Sequence, residues 1–416
     1  MMHAEIISIG DEITSGQILD TNSQWLSLRL EELGVKVLYH TTVGDESDAM
    51  VPVFQHAYGR SDVIVTTGGL GATPADMTRE ALARSVGRKL VMDPKAMEHI
   101  RQLFARRKRE MPKRNEVQAM FPEGSRMVPN PNGTAPGIDL EVPRQGKPPV
   151  RLFALPGVPA EMKEMFAQTV ARELRKAGAG QRVIRHRRIH CFGAGETQIV
   201  AMLPDIVHRS QDPHVGITAS QATITLRLSA SGATEEACQA AMEPIAATIR
   251  QHLGKLVFGE DDDELQDAAI RLLRQKGKTL ATAEWGTAGL VADWLGNVAD
   301  APDFYLGGVV VQSDAAAKRM LDVPADPNRA GAGGLQGLVA NMASACRQRF
   351  EADYGLAVGP FPKFDAGASD PKPVFFALAA AAGVSTKSMP FSAHPALLKA
   401  LCGKNALDML RLVLME

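Results

Sequence analysis

The feature that most constrains the fold is a short apolar strand that runs directly into a glycine-rich loop. Val63, Ile64 and Val65 are followed by residues 66–71, which read TTGGLG. A β-branched run that is apolar on both faces predicts a strand covered on both sides, as in parallel sheets. Glycines placed directly after such a strand let the backbone approach an anion closely. We therefore expect this loop to bind a phosphate-containing ligand.

Strand and helix signals alternate through the first 170 residues. A helical pattern at 21–33 is stopped by Gly34, which suits a helix C-cap, and a further helix is predicted from Asp76. This alternation predicts an α/β fold with a parallel sheet covered on both faces. The expected strands are 5–9, 35–42, 62–67 and 150–155.

Four further turns resemble the glycine loop and also lie near predicted strand ends. Ligands of open α/β sheets bind at the carboxyl ends of strands, so these turns are expected to meet around one site. They are 10–16 (GDEITSG), 44–46 (GDE), 132–137 (NGTAPG) and 155–159 (LPGVP).

A chain of 416 residues has room for two or three domains. The run at 176–180 (KAGAG) reads as a linker, and 260–264 (EDDDE) marks a second boundary, where the carboxylates suit a solvated helix start better than a cation site. We predict a nucleotide-binding α/β domain at 1–174, a small α+β domain at 175–259 and a third, α/β domain at 260–416.

The small middle domain contains an alternating strand at 222–230, followed by a helix. Ile224, Leu226 and Leu228 are predicted to share one face of that strand. It resembles RNA-binding α+β modules but has no Gly-x-x-Gly clamp, so a spacer or dimer contact is the preferred role. For the helix, we predict an apolar face formed by Ala237, Ala241, Ile245 and Ile249.

Composition and charge exclude several classes of protein. The 46 basic and 47 acidic side chains give a net charge of −1, which offers no support for a nucleic-acid partner. The four cysteines lie far apart without metal-ligand spacing and are expected to be reduced thiols. No signal peptide and no run of ~20 apolar residues is present, so we expect a cytoplasmic protein without a membrane partner.

Taken together, these motifs resemble the CinA (competence/damage-inducible) family. The resemblance rests on GDEITSGQILDTNSQWL at 10–26, VGDE at 43–46, TTGGLGATPADMTRE at 66–80, NGTAPG at 132–137 and LPGVPAEM at 155–162. It covers nearly all of residues 4–170 and, more weakly, the remainder of the chain. The resemblance implies a molybdopterin-binding-like N-terminal domain, a KH-like middle domain and a C-terminal deamidase-like domain.

The resemblance also implies activities in pyridine-nucleotide recycling. The family's N-terminal domain is associated with metal-dependent hydrolysis of the pyrophosphate of ADP-ribose to AMP and ribose 5-phosphate. Its C-terminal domain is associated with deamidation of nicotinamide mononucleotide. It further implies a divalent metal (Mg, Mn or Co), with potassium as an additional candidate ion, and a homodimer. The expected partner is a small-molecule nucleotide substrate.

The N-terminal site residues follow from this match. Asp76 and Asp45 are the predicted catalytic residues, and Asp76 and Asp11 the predicted metal ligands. Where the family continues its loop as Pro-Thr-x-Asp-Asp, this chain has Ala75 in place of one aspartate, which weakens a hard-cation site. The predicted phosphate and nucleotide ligands are Gly68, Gly69, Gly71, Thr73, Thr78, Asn132, Gly133, Thr134 and Gly157.

The C-terminal domain departs further from the family pattern. Where the family has Ala-Glu-Ser-Cys-Thr-Gly-Gly, with serine as the nucleophile, this chain has Trp285 before Gly286 and Thr287. Tryptophan supplies no nucleophile and fills space that a substrate needs. Gln312 replaces an expected tyrosine, although Lys318 is kept, and the stretch at 333–336 and the loop at 358–362 also differ. We predict a degenerate site without deamidase activity.

Two other functions stay open for the whole chain. The first is a non-catalytic protein that binds a nucleotide or molybdopterin and uses its C-terminal domain for dimerisation or partner binding. The second, adenylyl transfer to molybdopterin, rests on fold kinship, which is a poor guide to chemistry.

Overall fold

The computed structural model describes residues 2–204, 212–323, 332–363 and 370–416. Contacts divide the chain into two compact units. One consists of Met1–Arg185 with Ala230–Ala240, and the other of His186–Ser229 with Ala241–Glu416. The three-domain division made from the sequence stays a prediction.

The N-terminal unit alternates strands and helices as the sequence predicts. Its strands are β1 (Met2–Ile9), β2 (Val35–Val43), β3 (Val63–Thr67), β4 (Leu90–Met92), β5 (Met120–Pro122), β6 (Arg126–Val128), β7 (Gly137–Arg144) and β8 (Lys147–Leu155). Its helices are α1 (Asp11–Thr14), α2 (Thr21–Glu32), α3 (Ser47–Arg60), α4 (Thr78–Ser85), α5 (Pro94–Arg106), α6 (Pro159–Met165) and α7 (Ala171–Lys176). A 3₁₀ turn covers Lys113–Ala119, and a π turn, Phe166–Val170, joins α6 to α7.

Six strands form one sheet in the order β2-β1-β3-β8-β7-β6. The first four are parallel, and β7 runs antiparallel to both β8 and β6. The carboxyl ends of β2, β1, β3 and β8 therefore meet at one edge of the sheet. The loops that carry the glycine motifs lie at this edge.

Both faces of the sheet are buried, as the apolar runs predict. Alternate residues of β1 and β3 belong to two separate hydrophobic clusters, one on each face. Ile7 and Ile64 pack with α3 and α4, whereas Ile6 and Val65 pack with α2 and α6. The α/β fold with a parallel sheet is thus observed.

Local sequence signals explain the limits of α2. Asp20 caps its N-terminus by accepting a 2.9 Å hydrogen bond from the Ser23 amide. After Leu33 the backbone turns left-handed at Gly34, where φ is +70°. A Cβ there would lie 1.9 Å from the Arg182 carbonyl oxygen, so glycine is required for both reasons.

One predicted boundary in this unit is wrong. The sequence pattern starts a helix at Asp76, but α4 begins at Thr78. Asp76 lies in the preceding loop because its carboxylate is hydrogen-bonded back to that loop.

The middle of the chain forms a four-stranded sheet with two helices. The sheet order is β10-β11-β9-β12. The elements are β9 (Val183–Cys191), α8 (Glu196–Met202), β10 (His214–Ser220), β11 (Thr223–Gly232), α9 (Glu235–Leu253) and β12 (Val257–Glu260).

On β11 the predicted face is observed, since Ile224, Leu226 and Leu228 are all buried. On α9 the predicted face is right at Ile249, which is buried, and wrong in the first half of the helix. Ala237 and Ala241 are exposed, and the buried residues along this helix are Cys238, Met242, Ala246, Ile249 and Leu253.

The C-terminal part is a second α/β layer structure. Its sheet order is β14-β13-β15-β16-β17, in which the first three strands are parallel and the last two antiparallel. The elements are α10 (Leu265–Lys276), β13 (Leu280–Glu284), α11 (Leu290–Gly296), β14 (Tyr305–Val310), α12 (Asp314–Leu321), α13 (Ala332–Arg349), β15 (Tyr354–Val358), β16 (Pro373–Ala380), β17 (Gly383–Pro390) and α14 (Pro395–Leu414).

The acidic run at 260–264 leads into a helix, as predicted, but Glu260 is the last residue of β12 and only Glu264 belongs to the helix cap. Glu264 caps α10 in a capping box with Asp267. Among the described residues, no helix has the length and apolar character needed to cross a bilayer.

Candidate functional site

A cavity of about 650 Å³ lies at the carboxyl ends of the parallel strands of the N-terminal sheet. The loops after β1, β2, β3 and β8 line it, as expected for an open α/β sheet. Of the predicted site residues, the cavity lining includes Asp45, Gly68, Gly69, Gly71, Thr73, Asp76, Thr134 and Gly157. The other predicted residues are not among the lining residues; they are Asp11, Thr78, Asn132 and Gly133.

The glycine loop after β3 is packed too tightly for side chains. A Cβ on Gly68 would lie 2.1 Å from the Ile9 carbonyl oxygen, and one on Gly69 would lie 2.2 Å from Thr78 Oγ1. Both glycines have positive φ, at +110° and +64°. The loop therefore presents bare backbone to the cavity.

Only part of this backbone can donate to an anion. The Gly68 amide donates to the Leu155 carbonyl at 3.0 Å, and the Gly71 amide donates to Asp76 Oδ1 at 2.6 Å. Within the described residues, the amides of Gly69 and Leu70 make no hydrogen bond. Of the predicted phosphate-binding amides of Gly68, Gly69 and Gly71, only that of Gly69 is free to bind an anion. The Leu70 amide, which was not predicted, is also free.

A buried arginine, Arg79, donates hydrogen bonds to the backbone of the glycine loop. Arg79 donates to the carbonyl oxygens of Leu70 at 2.7 Å and Gly71 at 3.3 Å, and only 2% of its surface is exposed. Burial lowers the pKa of its guanidinium to about 10, while the charge of Asp76 opposes that shift. The side chain remains a cation at neutral pH and adds positive potential behind the loop.

Asp76 organises the loop through its own carboxylate. Besides the Gly71 amide, it accepts hydrogen bonds from the Thr73 amide at 2.8 Å and the Thr73 hydroxyl at 2.6 Å. The Thr78 hydroxyl is likewise used within the loop, since it donates to the Gly68 carbonyl at 3.0 Å. The hydroxyl groups of both threonines therefore donate hydrogen bonds within the loop itself.

A second group of carboxylates lies after β1 and β2. Asp11 and Asp45 each accept a hydrogen bond from the backbone amide of the other, at 3.0 and 3.1 Å. The pKa of Asp45 is raised by burial first, and then by the negative charges of Asp11, Glu12 and Asp76. Four carboxylates therefore concentrate negative potential at one side of the cavity.

This donor set suits a cation shared with a ligand rather than one caged by the protein. Among the described residues, no group of three or more His, Cys, Asp or Glu side chains is arranged to hold a metal. Mg²⁺ is commonly held by one or two carboxylates together with substrate phosphates, and Asp11 and Asp76 beside the loop fit that pattern.

Asn22 is a cavity residue that sequence reasoning did not select. Its amide nitrogen donates to Thr67 Oγ1 at 3.1 Å and to the Gly157 carbonyl at 2.9 Å, which ties the loops after β3 and β8 together. Its buried Oδ1 has no hydrogen-bond partner. The DTNS motif at 20–23 was the available signal.

The NGTAPG loop lines the cavity through Thr134 and Ala135 and also contacts two acidic side chains of α6. The Asn132 side chain donates to Glu164, outside the cavity lining. Gly133 packs against the carboxylate of Glu161, which lines the cavity and was also missed from the sequence. Glu161 lies within the LPGVPAEM motif, on the first turn of α6.

In the C-terminal domain, the loop that follows β13 is packed closed on the β15–β16 connection. A Cβ on Gly359 would lie 1.6 Å from the Trp285 carbonyl oxygen, and one on Gly286 would lie 2.5 Å from the Phe361 ring. Thr287 is fully buried, and its hydroxyl has no hydrogen-bond partner.

The acidic residue that precedes this loop is used for structure. Glu284 caps α11 by accepting hydrogen bonds from the amides of Val291 and Ala292, at 3.1 and 2.8 Å. Lys318 is exposed on α12.

The middle domain contains a basic strand, β9, whose charges are neutralised locally. Arg185 pairs with Glu235 at 3.1 Å, and Arg188 pairs with Asp262 at 2.7 Å. Arg187 bridges Glu243 and Glu260. These three arginines are therefore engaged with acidic side chains of the same chain.

Family models match nearly the whole chain. Residues 5–176 match a probable molybdopterin-binding domain, residues 186–259 the KH domain of the damage-inducible protein CinA, and residues 262–414 the CinA C-terminal domain.

Curated relatives match over most of the chain. A putative competence-damage inducible protein of Symbiobacterium thermophilum is 37% identical over 375 residues, covering 90% of this chain and 87% of its own. A CinA-like protein of Rippkaea orientalis is 36% identical, covering 90% and 88%. A crystal structure of CinA, of unknown function, from Thermoplasma acidophilum is 30% identical; it covers 42% of this chain and 97% of its own, with a TM-score of 0.37.

Proposed function

Because the chain belongs to the CinA family, we propose that its N-terminal domain hydrolyses a nucleotide pyrophosphate, with ADP-ribose as substrate and AMP and ribose 5-phosphate as products. The observation that carries the proposal is the glycine loop. Gly69 and Leu70, whose N–H groups make no hydrogen bond within the described residues, line a cavity at the sheet edge that the carboxylates of Glu12, Asp45 and Asp76 also line. Phosphate binding and cation binding are thereby brought next to each other.

The loop supplies the binding part of the mechanism. The N–H groups of Gly69 and Leu70 donate to oxygens of the pyrophosphate, and the buried Arg79 cation strengthens their potential. Because these donors are held by packed glycines, little reorganisation is needed when charge develops on the phosphate. Asp76 keeps the loop in this form.

The carboxylates supply the chemical part. Asp45 accepts a proton from the attacking water, for which its raised pKa makes it a better base than an ordinary aspartate. A divalent cation held by Asp11 or Asp76, as predicted from the sequence, would polarise phosphate oxygens and lower the pKa of a bound water. Water adds to one phosphorus, and the bridging oxygen leaves with the other phosphate.

The proposal is tested by AMP release. Purified full-length protein is incubated with ADP-ribose and Mg²⁺, Mn²⁺ or Co²⁺, with and without K⁺, and AMP is quantified. We expect release that depends on the divalent metal and is lost in Asp45→Asn. Glu164→Gln serves as the matched control, because Glu164 lies outside the cavity lining and should leave release unchanged.

A second candidate is non-catalytic binding of a nucleotide or molybdopterin. It is favoured by the use of both Asp76 oxygens within the loop and by Ala75 in place of a carboxylate. Under this function the C-terminal domain serves dimerisation or partner binding. Calorimetric binding of ADP-ribose without any AMP release would support this candidate and contradict the hydrolase.

For the C-terminal domain we propose that deamidase activity is lost. Trp285 stands where a nucleophile is needed, and the buried Thr287 lies in a loop packed closed by Phe361. Nicotinamide mononucleotide should therefore release no ammonia, and Trp285→Ser alone should not restore release. Ammonia release that Lys318→Ala abolishes would contradict this.

A further inference from the structure

Glu161 is an acidic side chain in the cavity that the proposed hydrolysis does not use. It lines the cavity from the first turn of α6, the helix that follows β8. Among the described residues, no lysine, arginine or histidine forms a salt bridge with it. An unpaired carboxylate that faces a ligand cavity accepts hydrogen bonds but cannot donate them.

The Glu161 carboxylate is held in place by a buried frame. Asn130 is fully buried and donates to Glu161 Oε2 at 2.7 Å and to the Ala135 carbonyl at 2.9 Å. Its Oδ1 accepts the Gly133 amide at 2.8 Å. A Cβ on Gly133 would lie 2.0 Å from the Glu161 carboxylate, so this glycine leaves the room that the carboxylate occupies.

The sheet order places Glu161 opposite the other carboxylates. In the order β2-β1-β3-β8, the Asp11–Asp45 pair follows the first two strands, the glycine loop follows β3, and Glu161 follows β8. Neighbouring strands are about 4.8 Å apart, so β8 lies about 5 Å from β3 and about 10 Å from β1. A phosphate at the glycine loop would thus have the acidic group on one side and Glu161 on the other.

We propose that Glu161 recognises the ribose hydroxyls of the nucleotide by accepting hydrogen bonds from its 2′,3′-diol. The ligand group must donate hydrogen bonds to the carboxylate and must lie close to a phosphate at the glycine loop. The ribose diol of a nucleotide meets both requirements, and an acidic residue has this role in dinucleotide-binding folds. The inference rests on the proposed function only in assuming that a nucleotide occupies the cavity.

The test compares ligands with and without the diol. Calorimetry with AMP and with 2′,3′-dideoxy-AMP is run on the wild type, Glu161→Gln, Glu161→Ala and the control Glu164→Gln. A hydrogen bond to a charged group predicts that the wild type and the control prefer AMP by about 10- to 100-fold. The preference should shrink in Glu161→Gln and vanish in Glu161→Ala. Inorganic pyrophosphate, which lacks ribose, should bind equally to all four proteins and shows that the loop is intact.

Three results would overturn the inference. They are a wild type without preference for AMP, a preference that persists in Glu161→Ala, and a Glu161→Gln variant that loses turnover while keeping the preference.

AMP release by these proteins separates this inference from the hydrolase proposal. If the preference for AMP depends on Glu161 but no ADP-ribose is hydrolysed, only the hydrolase proposal is refuted. If ADP-ribose is hydrolysed but the preference for AMP does not depend on Glu161, only the role of Glu161 in binding the diol is refuted.

Discussion

Removing the carboxylate of Asp76 is expected to loosen the glycine loop. Asp76→Ala removes the acceptor of three hydrogen bonds. Their donors are the Gly71 amide at 2.6 Å, the Thr73 amide at 2.8 Å and the Thr73 hydroxyl at 2.6 Å. Asp76 is only partly buried, so water replaces some of each bond, and a net value of about 1 kcal/mol per bond is appropriate. The sum is about 3 kcal/mol. Arg79 also loses a nearby negative charge, which adds to the cost.

Hydrogen exchange followed by mass spectrometry measures this effect in the loop itself. A local opening that is about 3 kcal/mol easier exchanges roughly 100-fold faster, so the peptide amides over 66–80 should lose protection by that factor. Glu12→Gln is the matched control, because Glu12 lines the same cavity without a side-chain hydrogen bond to the loop. A change of less than about threefold in Asp76→Ala would refute the assignment of Asp76 as the residue that holds the loop.

Two further predictions concern pH. Glu12→Gln removes a negative charge next to Asp45, so the raised pKa of Asp45 should fall and the acid limb of the pH–rate profile should move to lower pH; an unchanged limb would contradict this. Burial raises the pKa of Glu5, but hydrogen bonds from Arg60 and Thr41 outweigh it and lower that pKa below the ordinary 4.5. The ionised Glu5 therefore stabilises the fold above about pH 4.5, and this contribution is lost as pH falls through the lowered value. Urea unfolding should show Glu5→Gln costing about 2–3 kcal/mol at pH 7, since Arg60 is one-third exposed, and much less near pH 3; an equal cost at both would refute it.

Much of the fold is predictable because apolar runs and glycines act locally. The apolar run of β3 requires burial on both faces, and the TTGGLG loop requires positive φ, whatever the rest of the chain does. The same reasoning places the loops of four parallel strands at one edge, where the cavity is observed. The α9 face was misjudged because alanines carry little periodic signal, while Cys238 and Met242 form the buried stripe.

The detailed roles in the site depend on contacts between distant segments, which the pattern does not contain. Asp76 is a predicted metal ligand, and the structure adds that its oxygens accept hydrogen bonds from the Gly71 and Thr73 amides. The Glu161 carboxylate is held by Asn130, which lies 31 positions away in the sequence. The sequence therefore predicts which loops form the site. It does not predict which residues of those loops hold the loop in place and which face the cavity.

The central claim is that the glycine-loop cavity performs the hydrolysis. The most direct measurement is metal-dependent AMP release from ADP-ribose by the full chain, compared with Gly69→Ala. In that variant a Cβ would lie 2.2 Å from Thr78 Oγ1 at a residue whose φ is +64°, so the phosphate-binding backbone must move. We predict release by the wild type and a loss of at least about 100-fold in Gly69→Ala. No release by the wild type, or equal release by both proteins, would contradict the account.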